Sequence, residues 1–213
     1  MILLKFPSAI PLPKAFHTYL LSLCLATGIL CPVYANDREP ITSAAEPSDH
    51  AYNKQADLPN FHVVHSFLFR GGEPTPAGLK QLQRMGVKTI IDLRAHPEMV
   101  RQESEQARAL GMQYINLPMS SKAPTSRQIG TFITTVSQAE KAPDRGAVFV
   151  HCAHGSDRTG CLIGIWRVSR EGWSYDQAYK EMRQYYFTPK FSELSGTVRR
   201  YARQKKDPGA DDT

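Results

Sequence analysis

Ala147-Val148-Phe149-Val150-His151-Cys152-Ala153-His154-Gly155-Ser156-Asp157-Arg158-Thr159-Gly160-Cys161-Leu162-Ile163-Gly164-Ile165-Trp166 is the stretch on which the reading of this chain turns. Its opening apolar run, 147–150, predicts a buried strand, and 161–166 predicts the start of a buried helix. A strand, a tight loop and a helix N-terminus in that order form an anion site. Backbone N–H groups converge on the loop, and the helix dipole adds partial positive charge there. Gly155 and Gly160 let the backbone close around a ligand without a Cβ in the way.

The side chains on this frame have separable tasks. A thiolate is the nucleophilic form of cysteine, and Cys152 at a helix N-terminus beside Arg158 is expected to have a depressed pKa. Arg158 offers a planar fork of donors that matches two phosphoryl oxygens. Thr159 places a hydroxyl near the sulfur, where it can stabilise the thiolate as that sulfur leaves. Residues Ala153, His154, Gly155, Ser156, Asp157 and Arg158 are therefore the expected cradle for phosphate.

His-Cys-x5-Arg-Thr-Gly resembles the signature loop of the cysteine-dependent protein tyrosine and dual-specificity phosphatase superfamily. The likeness spans roughly residues 61–204. Leu68-Phe69-Arg70-Gly71-Gly72-Glu73-Pro74, a following helix, and Gly86-Val87-x3-Ile91-x-Leu93-Arg94 resemble the opening of its small atypical bacterial and plant–fungal members. Low-molecular-weight phosphatases carry the loop after their first strand, whereas here it lies late. Rhodanese-type sulfurtransferases have one residue fewer between cysteine and arginine. The resemblance implies an α/β three-layer sandwich with a mostly parallel sheet of four to five strands. It implies hydrolysis of phosphomonoesters through a cysteinyl-phosphate, with no metal and no cofactor. It places His151, just before the nucleophile, as a hydrogen-bonding support for the thiolate. Phosphotyrosine or phosphoserine/threonine in proteins is the leading expected substrate, and a phosphoinositide or inositol phosphate the alternative. A phosphate-binding module without turnover is a further alternative, although such proteins commonly lose the cysteine or arginine that both stand here.

A proton donor for the leaving oxygen is harder to place. Family members mostly carry an aspartate on the loop after the third strand, but Pro118-Met119-Ser120-Ser121-Lys122-Ala123-Pro124 holds no Asp or Glu. Asp157 is the nearest substitute, in a loop ending Asp-Arg-Thr like that of myotubularin phosphoinositide phosphatases. It reads either as the acid or as a structural anchor. Asp92 lies within a strand and reads as structural, and Asp144 sits in a surface turn. Arg94 reads as a substrate contact or as half of an ion pair. Lys122 reads as a substrate contact or a solvated lysine, and His154 as a cationic or a solvent-facing group on the loop.

Around this centre the chain alternates strands and helices, which predicts a largely parallel sheet with ligands at the strands' carboxyl ends. His62 to Phe69 reads as one strand. Thr75 caps a helix with Pro76 at its first position and Gly86 beyond its end. Val87 to Leu93 is an apolar strand, Pro97 to Leu110 a polar-surfaced helix closed by Gly111, and Met112 to Leu117 a third strand. Thr125 with Gln128, and Ser174 with Gln177, have capping-box spacing. Ala178, Met182 and Tyr185 form an inward stripe, and a last helix runs from about Lys190 to Gln204.

The N-terminal 35 residues read as a signal peptide. Lys5 and Lys14 precede an apolar core, Leu20 to Cys31, and Val33-Tyr34-Ala35 offers a small-residue cleavage site. The core is short and interrupted by Gly28 and Pro32, which argues against a stable membrane span. An uncleaved anchor is the alternative. Export, to the periplasm or beyond, follows as an expectation. Residues 36–58 are polar and read as a flexible lead-in, 59–206 as the phosphatase domain, and 207–213 as a disordered tail. Loss of the leader takes the net charge from +6 to +4, which suits an anionic substrate and by itself indicates no nucleic-acid partner. Cys152 and Cys161 would then remain, read as two free thiols rather than a disulfide.

Overall fold

The structure, a computed structural model, describes residues 53–206. The expected signal segment, most of the lead-in and the expected tail lie outside the described residues. Helices and strands follow the order β1 (His62–His65), β2 (Leu68–Gly71), α1 (Pro76–Arg84), β3 (Val87–Asp92), α2 (Pro97–Ala109) and β4 (Gln113–Asn116). Then come α3 (Ser126–Lys141), a 3-10 turn, β5 (Ala147–His151), α4 (Asp157–Arg170), α5 (Tyr175–Gln184) and α6 (Ser192–Lys206). The five strands form one sheet ordered β1-β2-β5-β3-β4. Only β1 runs antiparallel to its neighbour; the other pairs are parallel. The expected α/β sandwich with a mostly parallel five-stranded sheet is what the chain adopts.

Alternation along β5 divides the core in two. Val148, Val150 and Cys152 face α3, α4, α5 and α6, where Phe132, Leu162, Met182 and Val198 are buried. Ala147 and Phe149 face α1 and α2, where Leu79, Leu82 and Ala107 pack. Helix α4 is buried at every position from Thr159 to Val168, so it is the inner helix that the other α-layer elements cover. Its first residue follows the loop that ends β5, and this fixes the loop at the sheet's carboxyl edge.

Local chemistry matches the sequence in most places. The Thr75 hydroxyl accepts from the Gly78 amide, and both expected capping boxes form, Thr125 with Gln128 and Ser174 with Gln177. One element differs. His62 to Phe69 is not one strand but a hairpin, with a turn at Ser66-Phe67 between β1 and β2. Strand-type residues continue through that turn because Phe67 stacks on His65 and packs edge-on to Trp166, so the composition hides the reversal. Asp57 and Leu58, counted with the lead-in, are held by the fold. The Thr75 hydroxyl donates to Asp57 at 2.5 Å, and Leu58 packs against the α1–α2 core.

Candidate active site

Cys152 sits one residue beyond β5 and is 2% exposed. Burial opposes ionisation of its thiol. The Arg158 cation, the Thr159 hydroxyl and the amides of Thr159 and His154 outweigh that penalty and hold its pKa below the ordinary thiol value. Thr159 is itself fully buried, and among the described residues its hydroxyl has no partner other than this sulfur. The loop then turns at Gly155, whose φ of +72° belongs to glycine, and a Cβ there would lie 2.4 Å from the Gly71 carbonyl carbon. The Gly71-Gly72 pair lets the β2 end lie directly against the loop backbone.

Arg158 occupies the second position of α4. Its Nη1 donates to the carbonyls of Leu93, at 3.3 Å, and Met119, at 3.4 Å. One corner of the guanidinium is thereby tethered to the end of β3 and to the facing loop, which leaves the Nε edge for a ligand. Arg158 opens with Ser120, Ser121, His154, Asp157, Phe191 and Leu194 onto a pocket of about 290 Å³. Asp157 is the only carboxylate lining it. One Asp157 oxygen accepts the Thr188 amide at 2.7 Å, which fixes the side chain across the α5–α6 junction. Both sequence readings of Asp157 thus have a geometric basis: it is anchored, and it faces the pocket.

His151 stands elsewhere. It is wholly buried on the α1–α2 face of the sheet, stacked on Phe149 at 5.4 Å. Its Nε2 lies 2.8 Å from Glu103 and 3.8 Å from Asp92, an ion-pair contact with Glu103 rather than a straight hydrogen bond. Burial disfavours the imidazolium, but these carboxylates prevail and its pKa is raised. The only hydrogen-bond contact near the nucleophile is from Nδ1 to the Cys152 carbonyl, at 3.4 Å. Consecutive strand residues point to opposite faces, so the hydrogen-bonding contact of His151 is made to the Cys152 carbonyl and not to the sulfur itself. Any support reaches Cys152 through its main chain.

Of its two sequence readings, Arg94 takes that of the ion-pair partner. It is 3% exposed and ion-pairs with Asp92 at 2.9 Å, Glu103 at 2.5 Å and Glu73 at 2.5 Å, so it is no substrate contact. Tyr114 donates to Asp92 at 2.5 Å, which completes a buried ionic cluster behind the loop. Asp92, Glu103 and His151 bring ligand-type atoms within 4.8 Å of one another, but the Arg94 guanidinium already pairs with both carboxylates. Lys122 is not among the residues lining the pocket and pairs with Glu193 at 2.8 Å. His154 is exposed on the rim, between the 290 Å³ pocket and a second cavity lined by Lys54, Glu73 and Ala153.

Sequence reading does not single out Asn60, Arg70 or Glu103, all buried polar groups beside the loop or its support. Arg70 alone left a trace, as the charged residue inside the otherwise apolar and glycine strand Leu68–Gly71. Glu103 shares the buried stripe of α2 with Ala107. Cys161 is unbonded like Cys152; its Sγ contacts the Leu194 carbonyl at 3.4 Å, and burial pushes its pKa up to about 12.

Residues 53–199 match the family described as DSP-PTPase phosphatase fused to NAD+ kinase. NAD kinase 2, chloroplastic, of Arabidopsis thaliana is 32% identical over 125 residues, 55% of this chain and 12% of that protein. The chain thus spans only a small part of this relative. Dual specificity protein phosphatase TpbA of Pseudomonas aeruginosa is 24% identical over 174 residues, 81% of this chain and 73% of TpbA. Inositol diphosphatase DSP4 of Arabidopsis thaliana is 27% identical over 157 residues, 71% of this chain and 77% of that protein. Among solved structures, P. aeruginosa TpbA in complex with pTyr superposes with a TM-score of 0.57 at 19% identity. That match covers 75% of this chain and 99% of the other.

Proposed function

This chain belongs to the cysteine-dependent dual-specificity phosphatases, and on that premise we propose that it hydrolyses phosphotyrosine in proteins through a cysteinyl-phosphate. One observation carries the chemistry: a buried sulfur is held toward its anion by Arg158, the Thr159 hydroxyl and the amides of Thr159 and His154, and Arg158 and His154 themselves line an open pocket. The Cys152 thiolate attacks phosphorus in line. The S–P bond forms as the P–O bond to the leaving group breaks, and the leaving oxygen takes a proton from Asp157. Charge on the transferring phosphoryl oxygens is met by loop amides and Arg158, which are already in place and need no reorganisation. Water then attacks phosphorus and gives a proton to Asp157. Inorganic phosphate departs as the sulfur leaves as thiolate, stabilised by the Thr159 hydroxyl.

Phosphotyrosine is favoured by the pocket wall. Phe191 and Leu194 offer an apolar side to an aryl ring, while Arg158 and His154 are the only basic groups among the lining residues. TpbA, whose structure holds pTyr, shares this fold. A phosphorylated inositol is the second reading. It is favoured by His154 standing between two cavities with Lys54 in the outer one, and by the likeness to an inositol diphosphatase.

Cys152→Ser removes aryl phosphate turnover on this account, and acid-quenched enzyme shows a phosphoryl adduct on Cys152 by mass spectrometry. Retained turnover in the serine variant refutes the mechanism. Release of phosphate from phosphotyrosyl peptide, phosphoinositide and inositol phosphate, measured side by side, decides the substrate.

Export is also proposed, on the apolar segment 20–31 and the Val33-Tyr34-Ala35 site. N-terminal sequencing of protein recovered outside the cytoplasm should begin at Asn36; an intact Met1 in the cytoplasm overturns it.

A further inference from the structure

We propose that Asn60 and Arg70 are positioning residues of the phosphate loop: they hold its carbonyls from behind, so that its amides point at the phosphoryl group.

In a trans peptide the C=O of one residue and the N–H of the next point in opposite directions, and no described peptide is cis. Three consecutive loop carbonyls are captured by donors from a single segment, residues 60–73. The Ala153 carbonyl accepts from the Glu73 amide at 3.3 Å. The His154 carbonyl accepts from Asn60 Nδ2 at 3.1 Å, and the Gly155 carbonyl from Arg70 Nη2 at 2.8 Å. The amides of His154, Gly155 and Ser156 are thereby turned to the opposite side. The first of them is seen to reach the Cys152 sulfur. The other two find no acceptor among the described residues.

Both anchors are residues that packing alone would not select. Asn60 is 6% exposed and has a φ of +47°, a left-handed conformation that asparagine tolerates better than most residues. Arg70 is fully buried, no carboxylate pairs with it among the described residues, and its Nε and Nη1 have no partner. A buried guanidinium with no carboxylate in direct ion-pair contact is costly, even with the charges of Glu181 and Cys152 nearby, and an apolar side chain of similar length would fill the same space more favourably. What Arg70 makes is the bond to Gly155. It lies flat over the Tyr185 ring, 4.5 Å from the centroid. Tyr185 in turn lies tilted against His62, with ring centroids 4.1 Å apart, and His62 Nε2 contacts Asn60 Oδ1 at 3.1 Å. The two anchors are thus braced by one continuous chain of side chains, none of which is itself a lining residue of the 290 Å³ pocket.

The inference rests on the loop being the phosphate site, and the experiment separates the two. Inorganic phosphate is titrated by calorimetry into the full chain and into Asn60→Asp, Arg70→Met, Arg70→Lys and Arg158→Met. Backbone amide NMR shifts of His154, Gly155 and Ser156 and thermal unfolding are recorded in parallel. Asn60→Asp keeps shape and left-handed tolerance but sets an acceptor against the His154 carbonyl. Loss of one hydrogen bond to a charged ligand is expected to weaken phosphate binding roughly tenfold or more. Asn60→Asp and Arg70→Met should show that loss and no phosphate-induced shifts at Gly155 and Ser156, while Arg70→Lys, which retains a donor, recovers part of both. A folded Asn60→Asp that binds phosphate with unchanged affinity and shifts overturns the proposal. If Arg158→Met binds phosphate as well as the unaltered chain, the loop reading fails instead. Should Arg70→Met not fold, the aspartate and lysine variants decide.

Discussion

The imidazole of His151 lies 2.8 Å from the Glu103 carboxylate, on the opposite face of the sheet from the sulfur of the next residue, Cys152. The residue before the nucleophile is therefore tied into a buried ionic cluster with Asp92, Arg94 and Tyr114. That cluster fixes the end of β5 from which the loop departs.

A pH dependence of stability follows. His151 has a folded pKa raised above its ordinary 6.5, so its contribution is complete below pH 6.5 and is lost as pH climbs from there through the folded value. His62, lowered to about 4 by burial and the nearby Arg70, acts in the other window: stability is lost as pH falls from 6.5 toward 4. Glu103→Gln should cost about 3 kcal/mol, as breaking a buried pair does, and should flatten the decline above pH 6.5 while leaving the acid-side decline intact. Thermal unfolding across pH 4–9 reads both limbs, and an unchanged alkaline slope counts against the pairing.

The Thr159 hydroxyl is among the groups holding Cys152 as thiolate. Alkylation of Cys152 by iodoacetamide should therefore proceed well below the pH at which an ordinary thiol reacts. In Thr159→Val the alkylation profile should move to higher pH, and the acid limb of kcat/KM should move with it. Coincident profiles for the two proteins would remove the hydroxyl from the account.

Asp157 is judged by leaving groups. In Asp157→Asn, turnover of alkyl phosphates should fall by about 10²-fold or more, the range of general-acid contributions. Aryl phosphates with acidic phenols should fall far less. A uniform loss across leaving groups would reduce Asp157 to the anchor that its bond to the Thr188 amide already makes it.

Gly155→Ala combines a disfavoured backbone, costing roughly 1–2 kcal/mol, with a collision against Gly71 backbone. The expected result is a drop in melting temperature together with a loss of kcat of about 10²-fold or more, because donors aimed at the developing charge are displaced. Wild-type kcat in a folded Gly155→Ala would show that the turn does not aim them.

Phe191 forms the aromatic side of the pocket, with the Lys190 ammonium 5.3 Å from its ring. Phe191→Ala should raise KM for phosphotyrosyl peptide roughly three- to tenfold, as loss of an aromatic pair does, and leave KM for an alkyl phosphate unchanged. Equal effects on both would argue against a ring-binding role.

Much of this was legible in the chain because local rules and tertiary needs agree there. Thr75-Pro76, Thr125 with Gln128 and Ser174 with Gln177 announce helix starts, and the apolar-rich run at 87–93 and the all-apolar run at 147–150 announce buried parallel strands. The loop was legible because thiol, guanidinium and glycine have few other reasons to occur at that spacing. The β1–β2 reversal was not, since Phe67 in the turn is itself packed on Trp166. Nor was the fate of Arg94, whose partners Glu103 and Glu73 come from α2 and from the loop after β2. Such pairings exist only once the sheet is assembled. That His151 meets its neighbour at the Cys152 carbonyl and not at the sulfur was not legible either, because it depends on the alternation of the strand.

Cys161 gives the site a chemical vulnerability. Peroxide converts a reactive thiolate to a sulfenic acid, and a second thiol can rescue it only by attacking as a thiolate. Cys161 has its pKa pushed to about 12 and its sulfur turned to the Leu194 carbonyl, so it stays protonated and makes a poor resolving partner. Once Cys152 is oxidised, recovery falls to small external reductants, and without them the sulfur goes on to the sulfinic state and the enzyme is spent.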